Sequence, residues 1–516
     1  MYRNLFGEES RYKYHHMDLC RANTDGYKMA INNKFMALTW NYDRGGIAIF
    51  DPNEYSYGKP DQKLLKGHSG KIFDIKFSPY RTDLLASASD DCTVKLWQIP
   101  KEGLTQDIKT ESQSYTGHKR KVCLIDFNHH AEDVIASASG DSSVQIWNMI
   151  KAENIATCKF GGNPTSLEWN YDGSLIGVTD SERNITVFDP RGNNVVAKIK
   201  VTEGRNAKFV WSGENTFAYV GINKANEREF KNFDIRNIGE NKENKEVFQV
   251  KIDEQVNVIT PYFDRESKLL YSIGKGEANV NVYDFNEPIP KRCLNFQSNN
   301  PASTFAMVDR RNVDFNKNEV DKMAKWTVNN EIFYVSFFVM RRNPKYIPEL
   351  FPHVPITSPS MTYEEWKSGE NKPLERKEIC EYDKTEFVTK DYKFEKKEIA
   401  KAEITPAEKY KNLENKLIEL EQNIQNLETG NNTLKKKIAE ERKTAEDYYK
   451  LHSQAVNDLV TANEENSPVV SEEELKKFRS GSKIKISETV KVLFVKFWFN
   501  GSVCFFFFWG LGTYLR

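Results

Sequence analysis

Two stretches of the chain alternate apolar and polar residues in the same order, the second offset from the first by fifty residues. They read GHSGKIFDIKFSPY then LLASASDDCTVKLW over 67–97, and GHKRKVCLIDFNHH then VIASASGDSSVQIW over 117–147. Apolar residues fall on every second position, as at Val94 and Leu96 or Val144 and Ile146, with turn residues between short runs. That is strand periodicity, because successive strand side chains point to opposite faces. A weaker marker, an aromatic followed by Asp, Asn or Gln at the end of an apolar run, extends the series. It occurs at Phe50-Asp51, Trp97-Gln98, Trp147-Asn148, Phe188-Asp189, Phe233-Asp234 and Tyr283-Asp284. The mean step of about 47 residues is that of a four-stranded blade, and one further step reaches EIFYVSFFV at 331–339. The pattern predicts an all-β fold, a seven-bladed β-propeller over residues 1–355.

The periodicity changes after 355. Residues 356–405 are charged and contain prolines, and read as a C-terminal extension packing on the propeller. From Pro406 a 4-3 apolar spacing begins with Leu413, Leu417, Leu420, Ile424, Leu427, Asn431, Leu434 and Ile438, predicting an α-helical coiled coil over 406–462. Isoleucines at a and leucines at d favour two parallel strands, and Asn431 at a sets register. Gly430 costs about 1 kcal/mol against Ala, less than the roughly 1.5–3 kcal/mol from each buried Leu or Ile, so the seam survives it. The alternative is one long amphipathic helix lying on the propeller. Residues 463–516 end in VKVLFVKFWFNGSVCFFFFWGLGTYLR, long enough on paper to span a bilayer as a tail anchor. Their Phe and Gly richness and abrupt change of style read instead as a gene-prediction artefact.

Composition narrows the function. Among 516 residues, 74 Lys and Arg balance 74 Asp and Glu, so any attraction to a charged partner is local and no nucleic-acid binding is expected. The seven cysteines, at 20, 92, 123, 158, 293, 380 and 504, form no Cys-x-x-Cys pair. They fit reduced thiols in the cytoplasm rather than a zinc site or a disulfide framework. The opening MYRNLFGEESRYKYHH lacks the apolar core of a signal peptide. No His-Glu-x-x-His, P-loop or Gly-x-Ser-x-Gly is present, and GKGEAN at 274–279 fails the dinucleotide pattern. The paired histidines His15-His16 and His129-His130 have no spaced carboxylate or cysteine partners. Neither a catalytic residue, a metal site nor a cofactor is expected, and the chain reads as a non-enzyme.

Four residue types recur at fixed offsets in the two clear repeats: His68, Ser87, Asp91 and Trp97, then His118, Ser137, Asp141 and Trp147. The set resembles that of WD-repeat blades, in which Asp holds His, His holds Ser, and Trp anchors the third strand. Burial of such groups is tolerated only when each finds a partner. The next repeat has Val178 and Glu182 at the Ser and Asp places, predicting that it relies on apolar packing.

Several local strings go further and resemble the coronin family: SRYKY (10–14), SASDDCTVKLWQIPKEGL (87–104), FDPRG (188–192), GKGEANVNVYDF (274–285) and EEWKSG (364–369). The resemblance covers residues 1 to about 460. It implies binding to filamentous actin, oligomerisation through the coiled coil as a dimer or trimer, and work with the branched-actin nucleating complex and cofilin at the cytoplasmic actin cytoskeleton. It places Arg21 at the principal actin contact, counting back from AINNKF (30–35), with Arg11 and Lys13 as weaker candidates. It also makes Lys435, Lys436 and Lys437 candidates for a second contact, although a solvated helix face opposed by neighbouring glutamates is the better explanation of that cluster. The stretch before Arg21, with His15 and His16, and the tail past 460 depart from the family. The rival reading is a generic WD-repeat scaffold for protein–protein interaction in trafficking or signalling.

Overall fold

The structure, a computed structural model, describes residues 2–390 except 3, 21–23, 56–61, 202–204, 240–245, 256 and 342–345. It also describes Phe394 and a set of helical positions between 425 and 457. The chain divides into two units, Met1–Lys397 and Glu398–Arg516. Within the first, seven four-stranded antiparallel sheets follow one another, six of them built from consecutive strands at 29–65, 72–116, 122–159, 164–200, 205–253 and 259–296. The ring has the seven blades that the period predicts.

The seventh blade is assembled from both ends of the ring. Its inner strands are Ala302–Met307, Glu319–Thr327 and Ile332–Val339, and its outer strand is Leu5–Glu9. That strand pairs antiparallel with Ile332–Val339, Leu5 facing Val339 and Glu9 facing Val335. Closing a sheet ring with its own first strand removes a free edge, since each blade then has its full complement of ladder hydrogen bonds.

The middle strands of the blades are buried. All six residues of Leu84–Ser89 and of Val134–Ser139 are buried. Blades also share their cores: Leu84, Val94 and Leu96 of the second pack with Val122, Ile125 and Phe127 of the third. The tight hairpins at Cys92, Ser142 and Arg183 place a non-glycine residue in the left-handed region at the same point of three successive blades. In the first two, the preceding Asp accepts the N–H of the residue that follows, Thr93 or Ser143, at 3.1 Å, so the aspartate's local bonding sustains an otherwise costly conformation.

Beyond the last blade, Val354–Pro355 pairs with Arg376–Lys377. Between them a short helix, Tyr363–Lys367, opens with a capping box between Thr362 and Glu365 and buries Trp366. Farther on, Val388 exchanges hydrogen bonds with Thr82, and Thr389 donates to Asp83 at 2.8 Å. In the second unit, Leu434 and Ile438 stand 58% and 51% exposed on helix. The heptad positions Leu413, Leu417, Leu420, Ile424 and Leu427 and the hydrophobic tail from 463 lie outside the described residues. Among the described residues, no helix is long and apolar enough to cross a membrane.

Candidate functional site

The two tetrads come together as their spacing demands. His68 Nδ1 lies 2.8 Å from Asp91, His68 Nε2 lies 2.8 Å from Ser87 Oγ, and the Trp97 indole N–H donates to the same oxygen at 2.8 Å. His118 repeats this with Asp141 at 3.2 Å and Ser137 at 2.8 Å, and Trp147 donates to Ser137 at 2.8 Å. Burial lowers the pKa of both histidines and keeps the rings neutral. The tautomer that satisfies the chain donates Nδ1–H to Asp and accepts the Ser hydroxyl at Nε2. Burial by itself would raise Asp91, but hydrogen bonds from His68, Thr93 and the Ser69 N–H hold it far below the usual carboxylate range. Connectivity of this kind also appears in hydrolytic triads. Here Ser87 and Ser137 are wholly buried beneath an indole, so no substrate reaches the hydroxyl and the chain is a structural clamp.

The following repeat corrects an expectation. Val178 and Glu182 do not leave that blade to apolar packing alone. Asp180, two residues before Glu182, accepts the N–H of Gly161 at 3.0 Å and of Asn184 at 3.0 Å, and binds the Asn184 amide at 2.9 Å. A carboxylate reaching in from the strand end thus replaces one in the turn.

Around the central channel lies a set of charges that the repeat analysis passed over. Lys76, Asp126 and Glu168 occupy one place in three successive inner strands, each just before the closing aromatic, Phe77, Phe127 or Trp169. Asp126 accepts from Lys76 Nζ at 2.7 Å and from the Trp169 N–H of the next blade at 2.9 Å. Glu168 accepts the Trp211 N–H, again one blade on, at 3.0 Å, and Arg265 at 3.1 Å. Asp74 bridges the N–H groups of Tyr27 and Ile125 at 2.8 and 2.9 Å. Burial pushes the Asp74 carboxyl up to about 7 and raises Glu168, with Lys76 and Arg265 pulling the other way. The three carboxylates stitch adjacent blades, each accepting a backbone N–H from a neighbouring one. Their sequence signal is a charged residue recurring at one register inside an apolar strand.

Of the predicted first-contact residues, Arg11 and Lys13 lie in the connection leading from the outer strand of blade seven to the inner strand of blade one. It crosses the face that carries the His68 and His118 loops: Thr24 donates to the Phe73 carbonyl at 3.0 Å, and Cys20 donates to that of Thr39 at 2.9 Å. Arg21 itself lies outside the described residues. Arg11 is exposed. Lys13 is committed within the ring, paired with Glu331 at 2.9 Å and lying 5.2 Å from the Phe333 ring centre. The same face presents exposed Lys71, Lys119, Arg120 and Lys121 at equivalent loops of blades two and three. Lys435, Lys436 and Lys437 are exposed on helix in the second unit.

Comparison with known proteins agrees with this architecture. The family model for the WD domain, G-beta repeat, matches residues 58–98 and 109–148. Coronin-A of Dictyostelium discoideum is 33% identical over 381 residues, 72% of this chain and 83% of that protein. The chain belongs to the coronin family. A coronin-like protein of Saccharomyces cerevisiae is 31% identical over 385 residues, and the chain spans 58% of its length. The crystal structure of the WD40 domain from Toxoplasma gondii coronin superposes with a TM-score of 0.70 at 29% identity, covering 73% of this chain and 97% of that domain. What this coronin shares with that solved domain is the WD40 ring of blades.

Proposed function

We propose that this coronin binds filamentous actin through the basic face crossed by residues 10–28, and that its helical segment joins several propellers so that filaments are crosslinked. The observation that carries the reading is the gathering of Lys71, Lys119, Arg120 and Lys121 on one exposed face of a chain with no net charge. An acidic filament meets such a face by rim ion pairs worth about 0–1 kcal/mol each, weakened by salt. One propeller then binds weakly. Linking two or three makes later contacts intramolecular and raises avidity by roughly 10²–10⁴. Leu434 and Ile438, on the predicted d and a positions and both exposed in the single chain, support a partner helix along that seam. The protein acts without catalysis, at the cytoplasmic actin cytoskeleton, in filament organisation and turnover with the branched-actin nucleating complex and cofilin.

The test is co-sedimentation with micromolar filaments at low salt. The protein pellets, and Arg21→Asp weakens pelleting while leaving the melting temperature unchanged. Wild-type protein that stays in the supernatant sinks this reading and leaves the general WD-repeat scaffold in its place.

A further inference from the structure

The central channel holds a cavity of about 540 Å³, and where blades six and seven meet, Tyr262, Phe305 and Asp321 line it together with Tyr27. Three acids stand in that part of the wall. Asp264 is paired with Arg310 and Asp309 with Arg311, whereas among the described residues no Lys, Arg or His forms an ion pair with Asp321. Asp321 is 4% exposed. One of its oxygens accepts the Tyr271 hydroxyl at 2.5 Å, and the other has no hydrogen-bond donor among the described residues. Tyr262, on the inner strand of blade six, likewise has a hydroxyl with no hydrogen-bond partner among the described residues. Burial, and then Asp264, Asp321, the Tyr27 phenol and Asp309, push that hydroxyl well above its ordinary pKa. The groups acting on it are all acidic. Burial and Asp264 likewise push the Asp321 carboxyl up to about 8, against Arg310 and the Tyr271 hydrogen bond, with Glu319 adding to the rise. A buried carboxylate without a counter-ion is costly, so in the empty cavity a proton stands where a cation could. Tyr27 and Phe305 meet edge-on with ring centres 6.4 Å apart, which adds aromatic rings, the natural neighbours of an ammonium, to the same wall.

We propose that this cavity binds a small free primary amine as its ammonium ion, with Asp321 as counter-ion and the Tyr262 hydroxyl as a second acceptor. A primary ammonium carries three N–H donors, enough for both oxygens. Its bond to the carboxylate is of the short, charge-assisted kind. On binding, the Asp321 O–H bond breaks and its proton leaves to the buffer as the ammonium enters, so the cavity gains no net charge. The proposal is independent of filament binding.

The experiment uses the full chain and methylammonium chloride, titrated at pH 7 against sodium chloride at constant ionic strength and followed by melting temperature and calorimetry. Methylammonium gives a saturable upward shift that sodium does not. Calorimetry in two buffers of different ionisation heat shows a proton released for each amine bound. Asp321→Asn keeps an acceptor for the Tyr271 hydroxyl, weakens methylammonium binding about tenfold or more, the loss expected for one charge-assisted bond, and abolishes the proton release. Should Asp321→Asn fail to fold, Tyr262→Phe, which keeps the ring, weakens binding about threefold or more. Equal shifts from methylammonium and sodium, or undiminished binding by the variant that folds, overturn the assignment. So does a proton release that Asp321→Asn retains.

Discussion

Trp366 donates its indole N–H to the carbonyl of Gly173 at 2.8 Å, tying the short helix after the ring to a turn 193 residues earlier. The indole also meets Trp169 edge-on, with ring centres 6.0 Å apart. Gly173 has a φ of +68°, and a Cβ there would come within 2.4 Å of the Asn128 side chain. The contact therefore needs glycine on one side and an indole on the other.

Trp366→Ala should destabilise the first unit by about 3–5 kcal/mol, the usual cost of emptying a buried Trp site. Trp366→Phe should cost less, because the Gly173 carbonyl keeps the Asn128 amide at 2.8 Å. Denaturant unfolding measures both. A loss below 1 kcal/mol for the alanine variant would show that the helix stands outside the cooperative fold.

Ser87→Ala strands the Trp97 N–H and deprives His68 Nε2 of its donor, for a loss of about 1–3 kcal/mol. The same measurement on Asp180→Ala tests the substitute network of blade four, and a neutral effect there would restore the purely apolar account of that blade.

Asp126→Ala should be worse than Lys76→Met. It leaves both Lys76 and the Trp169 N–H without their acceptor, about 3–5 kcal/mol by analogy with half-broken buried pairs, whereas the methionine variant leaves Asp126 still bonded to the backbone. Equal losses would mean that the ion pair rather than the blade-to-blade bond matters.

Burial lowers the pKa of His68 in the folded state, so between its folded value and about 6.5 the unfolded chain binds the extra proton. The stabilisation from a neutral His68 is then complete above about pH 6.5 and declines as pH falls below it. The acid-side loss of stability should be shallower in His68→Gln than in the wild type, by up to about 1.4 kcal/mol per pH unit. Taking the difference cancels Asp74 and Asp321, whose burial-raised values of about 7 and about 8 act in the opposite sense. Unfolding curves from pH 7.5 to 5 give the comparison, and parallel slopes would refute it.

Leu434→Lys or Ile438→Lys should reduce the solution mass to that of one chain by light scattering, and removing residues after 405 should abolish filament bundling while sparing weak single-propeller binding. An unchanged mass would favour the long helix without a partner helix.

Much of the architecture was legible because it is local and repeated. Alternation, turn residues and the His, Ser, Asp and Trp offsets are imposed on each blade separately, so two clear copies betray the period and weaker markers extend it to seven. The carboxylate ring was less visible. Lys76, Asp126 and Glu168 each look like a lone polar interruption in a strand until the blades are set side by side and each carboxylate meets the N–H of its neighbour.

Thus the sequence by itself determined the blade, its turns and its buried hydrogen-bonded clamp, since those follow from periodicities of two and from residues within about thirty positions of one another, while the family was legible only through the resemblance of local strings such as SRYKY and EEWKSG. Only the tertiary structure decided how the ring closes and what Trp366 is for. The strand Leu5–Glu9 carries too short a pattern to name its partner, and Val339 lies at the other end of the ring.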